Sequence, residues 1–66
     1  MYQIKTYENG CNAASTVLKV EKLERAIIVA NQIATLNVST NERIEKIAIQ
    51  IENENGEIEY ENIINN

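Results

Sequence analysis

Apolar and polar residues alternate along four short stretches of the chain, which is the pattern of half-buried β-strands. The first two stretches are separated by the dipeptide Asn9-Gly10 and the last two by Asn55-Gly56. Asn-Gly supplies the positive-φ residues that tight hairpin turns need, so the pattern predicts two β-hairpins. The four stretches are residues 2–7, 15–20, 47–51 and 58–64.

The phase of the alternation predicts the pairing within the first hairpin. A strict two-residue loop would turn Leu18 away from the apolar face. A longer, bulged turn that includes Cys11 keeps Leu18 inside, and it pairs Tyr2 with Leu18 and Ile4 with Thr16. We therefore expect the longer turn.

The second hairpin is predicted to have a two-residue turn at Asn55-Gly56. In that register Glu54 faces Glu57, Glu52 faces Glu59, and Ile58 lies on the inner face. The same register makes the remaining pairs Ile51 with Tyr60, Gln50 with Glu61, Ile49 with Asn62 and Ile47 with Ile64.

Between the hairpins, residues 22–36 place apolar side chains on one side of a helix. Ala26, Ala30 and Ala34 form the middle of that stripe, so the helix can lie close to a sheet. Asn37 suits the left-handed position that follows a helix, and residues 38–42 suit a loop. These elements predict one α+β domain over residues 1–66 with a ββαββ layout. The two hairpins form one four-stranded, largely antiparallel sheet, and the helix packs on one of its faces. The sequence does not specify the order of the strands in that sheet.

The predicted helix carries more apolar surface than one sheet should bury. Val29, Ile33 and Leu36 widen the stripe on one side, and Ile28 stands on the outer face. A chain of this size has a small core, so self-association is a usual source of added stability. We expect a homo-dimer or tetramer that uses these four residues; the alternative is that the flank covers a twisted sheet edge.

Composition limits the chemistry that the chain can offer. It lacks His, Asp, Trp, Phe and Pro, and six Lys and Arg residues face ten Glu residues for a net charge of −4. Acidic balance disfavours duplex DNA binding, which depends on basic side chains. The lone Cys11 indicates a reducing compartment, and no apolar run is long enough to cross a membrane. We expect a cytoplasmic, non-enzymatic protein with no metal, no cofactor and no catalytic residues.

Two surfaces are candidates for partner binding. A glutamate-rich hairpin could mimic the phosphate spacing of nucleic acid or bind a basic protein, although solvated acidic strands more often serve solubility. A basic and aromatic patch made of Lys5, Tyr7 and Lys19 could stack on and pair with a small nucleotide, although a mixed surface is the ordinary interpretation. The acidic candidates are Glu52, Glu54, Glu57, Glu59 and Glu61.

In size and in the order of the strand at 2–7, the helix at 23–36 and the hairpin at 47–60, the chain resembles small ββαββ proteins that phages carry. These proteins disarm host immunity and include some anti-CRISPR and nucleotide-sequestering proteins. The resemblance covers the layout of most of the chain, and it implies an oligomeric inhibitor that binds a host protein or a signalling nucleotide. It assigns no role to any residue.

The layout is also similar to single-strand-binding proteins of the transcriptional-coactivator PC4 type. That similarity implies a small structural or nucleic-acid-associated bacterial protein, but the acidic charge and the missing basic strand face depart from the type. A further alternative is an enzyme whose site lies at an oligomer interface and uses Glu, Tyr and Lys.

Overall fold

The computed structural model describes residues 1–66, which form four strands and one helix. The strands make one antiparallel sheet, and the helix packs on one of its faces. The predicted α+β fold with a ββαββ layout is therefore confirmed, and the strand order is β2-β1-β3-β4. The elements are β1 (Tyr2–Glu8), β2 (Thr16–Val20), α1 (Leu23–Thr40), β3 (Lys46–Glu52) and β4 (Ile58–Asn65).

The hydrophobic core lies between α1 and the two central strands. Its largest side chains are isoleucines of β1 and β3, and three alanines of α1 face them with no exposed surface. Because alanine is small, the helix backbone lies close to the sheet. Thr6 is also buried, and its hydroxyl shares a 2.9 Å hydrogen bond with the hydroxyl of Ser15. The core residues are Ile4, Ala26, Ala30, Ala34, Val38, Ile44, Ile47, Ile49 and Ile51.

The helix is longer than predicted. It ends at Thr40 rather than Leu36, so Asn37 lies inside it and the loop predicted over residues 38–42 is wrong. Val38 explains the extension, because it follows Ala34 by four residues and adds one more buried position to the same stripe. Burial of Val38 outweighs the modest helix propensity of the β-branched residues near this end.

The register of the first hairpin differs from the prediction by two residues. Tyr2 pairs with Val20, Ile4 with Leu18 and Thr6 with Thr16. A shift of two keeps every side chain on its predicted face, so the inward direction of Leu18 is correct and only its partner was wrong.

The Asn9-Gly10 turn causes this shift because it does not itself connect β1 to β2. Both residues have positive φ, at 51° and 75°, and the backbone N–H of Cys11 donates to the carbonyl of Glu8 at 2.9 Å. However, β1 continues along β3 as far as the pair Glu8 and Ile47, on the side away from β2. Residues 11–15 are therefore needed to bring the chain back to β1, where β2 pairs with it.

Asn9 fixes this loop against the segment before β3. Its Oδ1 accepts hydrogen bonds from the backbone N–H groups of Glu45 at 2.7 Å and Lys46 at 3.2 Å. Its Nδ2 donates to the carbonyl of Arg43 at 2.9 Å. The first turn is thus held by contacts more than thirty residues away in sequence.

The second hairpin follows the predicted register only up to Ile51, which pairs with Tyr60. A bulge follows, so that Glu52 pairs with Ile58 instead of Glu59. The predicted partners of Glu52 and Glu54 were therefore wrong. Ile58 is also not on the inner face: it shares the side of Glu52 and is exposed.

Asn53 is the physical reason for the different turn. Its Oδ1 accepts hydrogen bonds from the backbone N–H groups of Asn55 at 2.9 Å and Glu57 at 3.0 Å. The N–H of Gly56 donates to the Asn53 carbonyl at 3.1 Å, and that of Asn53 donates to the Glu57 carbonyl at 2.9 Å. Only Gly56 has positive φ, at 80°. This is a type I turn followed by a left-handed glycine, which makes a three-residue loop rather than the predicted two-residue loop.

Candidate interaction surfaces

The basic and aromatic candidates lie on the open face of the sheet, the face opposite α1. Lys5 is flanked across the strands by Val17 and Gln50, while Tyr7 faces Ala48. Lys19 lies on the same face, opposite Gln3. The register therefore puts Lys5, Tyr7 and Lys19 on one surface.

Lys5 is paired within the molecule. Its Nζ lies 3.1 Å from Oε1 of Glu52. The hydrogen bond from the ammonium group to that carboxylate, helped by its negative charge, raises the pKa of Lys5 above its ordinary value. A phosphate that bound here would have to compete with Glu52 for Lys5.

The acidic residues form no regular row. Glu52 and Glu61 face the open side, whereas Glu57 and Glu59 accept hydrogen bonds from Asn53 Nδ2 at 3.5 and 3.2 Å. The bulge beside Glu59 breaks the strand spacing on which phosphate mimicry would depend. The hairpin is thus an acidic surface without the predicted periodicity.

Glu54 is engaged by the amino-terminal ammonium group of Met1. This hydrogen bond, with the positive charge of the amine, lowers the pKa of Glu54. Glu54 and Lys19 also line one shallow depression of about 260 Å³. The acidic hairpin and the basic patch are therefore contiguous, and the two hairpins do not present separate charged surfaces.

Contacts of Asn31 show which way each flank of α1 faces. Its Oδ1 accepts a 2.9 Å hydrogen bond from Asn62 Nδ2, and its Nδ2 lies 3.1 Å from the hydroxyl of Tyr60. Both partners are on β4, so this flank faces β4. The flank on the other side of the buried alanine stripe, which carries Val29 and Ile33, therefore faces β2.

The four residues predicted as an oligomer interface do not share one direction. Val29 and Ile33 are half-buried on the β2 side, and Leu36 lies beside them with 62% of its surface exposed. Ile28 is 55% exposed, but it lies about 80° or more around the helix from the other three. The structure thus brings three of the four together.

Leu18 completes this side of the molecule. It points to the same sheet face as its partner Ile4, yet 40% of its surface is exposed, because α1 packs mainly on the central strands β1 and β3 and least on β2. We call Leu18, Val29, Ile33 and Leu36 together the β2-edge surface. The sequence pattern had placed Leu18 inside; it could not show that the helix would leave this residue of β2 partly uncovered.

Other chemical features of the chain are sparse. Cys11 is a free, exposed thiol in the loop after β1. No three or more Cys or Glu side chains are grouped so that they could hold a metal ion. No helix combines the length and apolar character needed to span a membrane.

Comparisons with known proteins identify no relative. No protein-family model, curated protein or solved structure matches the chain.

Proposed function

We propose that this chain is a non-enzymatic interaction module that self-associates and binds a host protein, in the manner of a phage-type inhibitor of bacterial defence. The observation that supports this proposal is the β2-edge surface, where Leu18 exposes apolar area on the edge strand and Leu36 exposes apolar area on the helix flank of the same side. Exposed apolar side chains next to an open strand are typical of protein interaction sites. The free thiol of Cys11 agrees with a role in the cytoplasm.

A protein is favoured over a signalling nucleotide as the host ligand. Of the lysines that would bind a phosphate, Lys5 is paired with Glu52, and Lys19 shares its depression with Glu54. The net charge of −4 opposes anion binding as well. The same facts disfavour single-strand nucleic-acid binding of the PC4 type.

Phage plating tests the inhibitor directly. The chain is expressed in bacteria that carry a CRISPR–Cas system or a cyclic-nucleotide defence system, and plaques of a restricted phage are counted. We expect more plaques with the wild-type chain, fewer with Leu36→Glu, and wild-type counts with Ile63→Glu. Ile63 is the matched control because it is 56% exposed but lies on the open face of the sheet. Plaque counts that stay unchanged with every chain in both hosts would contradict the proposal that this chain inhibits bacterial defence.

Native mass spectrometry separates the two ligand classes. The purified chain is incubated with cyclic mono- and dinucleotides, and its mass is recorded. We expect no retained nucleotide. A stoichiometric adduct that disappears in Lys5→Ala would favour nucleotide sequestration instead.

A further inference from the structure

The dipeptide Asn-Gly occurs twice in the chain, and the same residue precedes it both times. Residues 8–10 and residues 54–56 both read Glu-Asn-Gly. Asparagine followed by glycine is especially prone to spontaneous deamidation, because glycine has no side chain to shield its backbone nitrogen. The two sites have closely similar intrinsic reactivity, so a difference between them in the native protein must come from the fold.

The fold anchors the side-chain amide of Asn9. Three hydrogen bonds join its nitrogen and oxygen to the backbone of Arg43, Glu45 and Lys46. The backbone N–H of Asn9 also donates to the Lys46 carbonyl at 2.9 Å. Deamidation requires the Gly10 nitrogen to reach the side-chain carbonyl carbon of Asn9. The amide would first have to leave its partners in the segment before β3.

The side chain of Asn55 has no such anchor. It is exposed at the tip of the second hairpin and makes no hydrogen bond; only the backbone N–H of Asn55 is bonded, to Oδ1 of Asn53. The attacking nitrogen, that of Gly56, donates one hydrogen bond, to the Asn53 carbonyl at 3.1 Å. Outside the adjoining residues, no heavy atom lies within 4 Å of the position that a Cβ of Gly56 would occupy, so this side of the glycine is open.

We propose that Asn55 is a site of spontaneous deamidation in the native protein and that the fold protects Asn9 from the same reaction. The backbone nitrogen of Gly56 loses its proton to hydroxide and attacks Cγ of Asn55. A cyclic succinimide forms, and the amide nitrogen takes up a proton from water and leaves as ammonia. Water then opens the ring at either carbonyl to give aspartate or isoaspartate, so water is the only other reactant.

Either product changes the acidic hairpin. Aspartate adds one negative charge between Glu54 and Glu57, where carboxylates are already close in sequence. Isoaspartate directs the main chain through the former side chain, which adds one carbon atom to the backbone of the turn. Asn53 Oδ1 accepts hydrogen bonds from the backbone N–H groups of Asn55 and Glu57, and the added atom lies between those two groups. The modification therefore loosens the three-residue loop.

The hydrogen bonds that must break determine the expected ratio of the two rates. Reaction at Asn9 breaks the three bonds of its side chain, whereas reaction at Asn55 breaks the one bond of the Gly56 nitrogen. Each net hydrogen bond that must open lowers the reactive population by about two- to tenfold. With two more bonds to break, Asn9 should react about tenfold more slowly than Asn55 in the native protein.

Peptide mapping of the wild-type chain measures both rates in one sample. The purified protein is incubated at mildly alkaline pH, and samples are digested with trypsin. Peptides 6–19 and 47–66 contain Asn9 and Asn55 respectively. Mass spectrometry with electron-transfer fragmentation locates the deamidated residue and distinguishes isoaspartate from aspartate. The same incubation in urea gives the two rates without the fold.

We expect Asn55 to react about tenfold faster than Asn9 in the native protein and at a similar rate in urea. Similar rates in the native protein, or a faster Asn9, would overturn the protection by the fold. An Asn55 that reacts in urea but not in the native protein would overturn the site itself.

Asn55→Gln is the matched control. The Asn55 side chain makes no hydrogen bond that the turn would lose, and glutamine has to close a larger ring, which is much slower. Deamidation of peptide 47–66 should therefore nearly disappear in this variant, while that of peptide 6–19 stays unchanged. Deamidation of peptide 47–66 at the wild-type rate would place the reaction at another asparagine and overturn the proposal.

Discussion

The alanine stripe of α1 provides the sharpest test of how the fold is held together. Ala30 has no exposed surface and faces the isoleucines of the sheet, so Ala30→Leu inserts three carbon atoms where no space is available. Overpacking of this kind costs about 1 to 3 kcal/mol. In a domain of this size each kcal/mol lowers the melting temperature by about 4 to 8 °C, so we expect a decrease of about 4 to 24 °C.

Gln32→Leu is the matched control for this experiment. Gln32 is exposed on the same helix, and leucine and glutamine are both good helix formers, so we expect its melting temperature to change little. Thermal unfolding of both variants is followed by circular dichroism at one fixed protein concentration, because self-association would make the melting temperature concentration-dependent. Equal decreases in the two variants, or none in Ala30→Leu, would refute the close helix-to-sheet packing.

Three further perturbations address the turns and the one side-chain ion pair. Asn9→Ala should lose about 2 kcal/mol in urea unfolding, because it forces alanine into positive φ and removes three hydrogen bonds; the exposed Asn12→Ala should lose almost nothing. Gly56→Ala should cost about 1 to 2 kcal/mol because its φ is positive, while Gly56→Asn should cost less, and the opposite order would contradict the type I turn with a left-handed glycine. The Lys5 pKa is raised by Glu52, so the stability that this pair supplies is present at neutral pH and is lost as pH rises above about 10.4, the ordinary lysine pKa. Urea unfolding of wild type and Glu52→Gln should therefore converge at high pH, and a constant difference between them would contradict the pair.

The strand and helix assignments follow from local periodicity, whereas the errors arise where side chains make specific turn contacts. Alternation correctly placed Ile47, Ile49 and Ile51 on the buried face. The Asn-Gly dipeptide alone could not distinguish a two-residue turn from the three-residue turn that Asn53 stabilises. Nor could it show that Asn9 would be held by the segment before β3.

The candidate surfaces depended on information that periodicity does not carry. The ion pair between Lys5 and Glu52 requires β1 to lie beside β3, and the sequence left the strand order open. The exposure of Leu18 depends on where the helix crosses the sheet, which no local pattern specifies.

The position of α1 over the sheet accounts for the difference between the two edges. A helix is about 10 to 12 Å wide, whereas four strands span roughly 19 Å, so one helix must leave part of the inner face uncovered. Asn31 donates a hydrogen bond to the Tyr60 hydroxyl and accepts one from Asn62, and these two contacts link α1 to β4. The strand that the helix covers least is β2, where Leu18 is exposed. The polar contact with β4 and the exposed apolar surface on β2 are thus two consequences of one helix position.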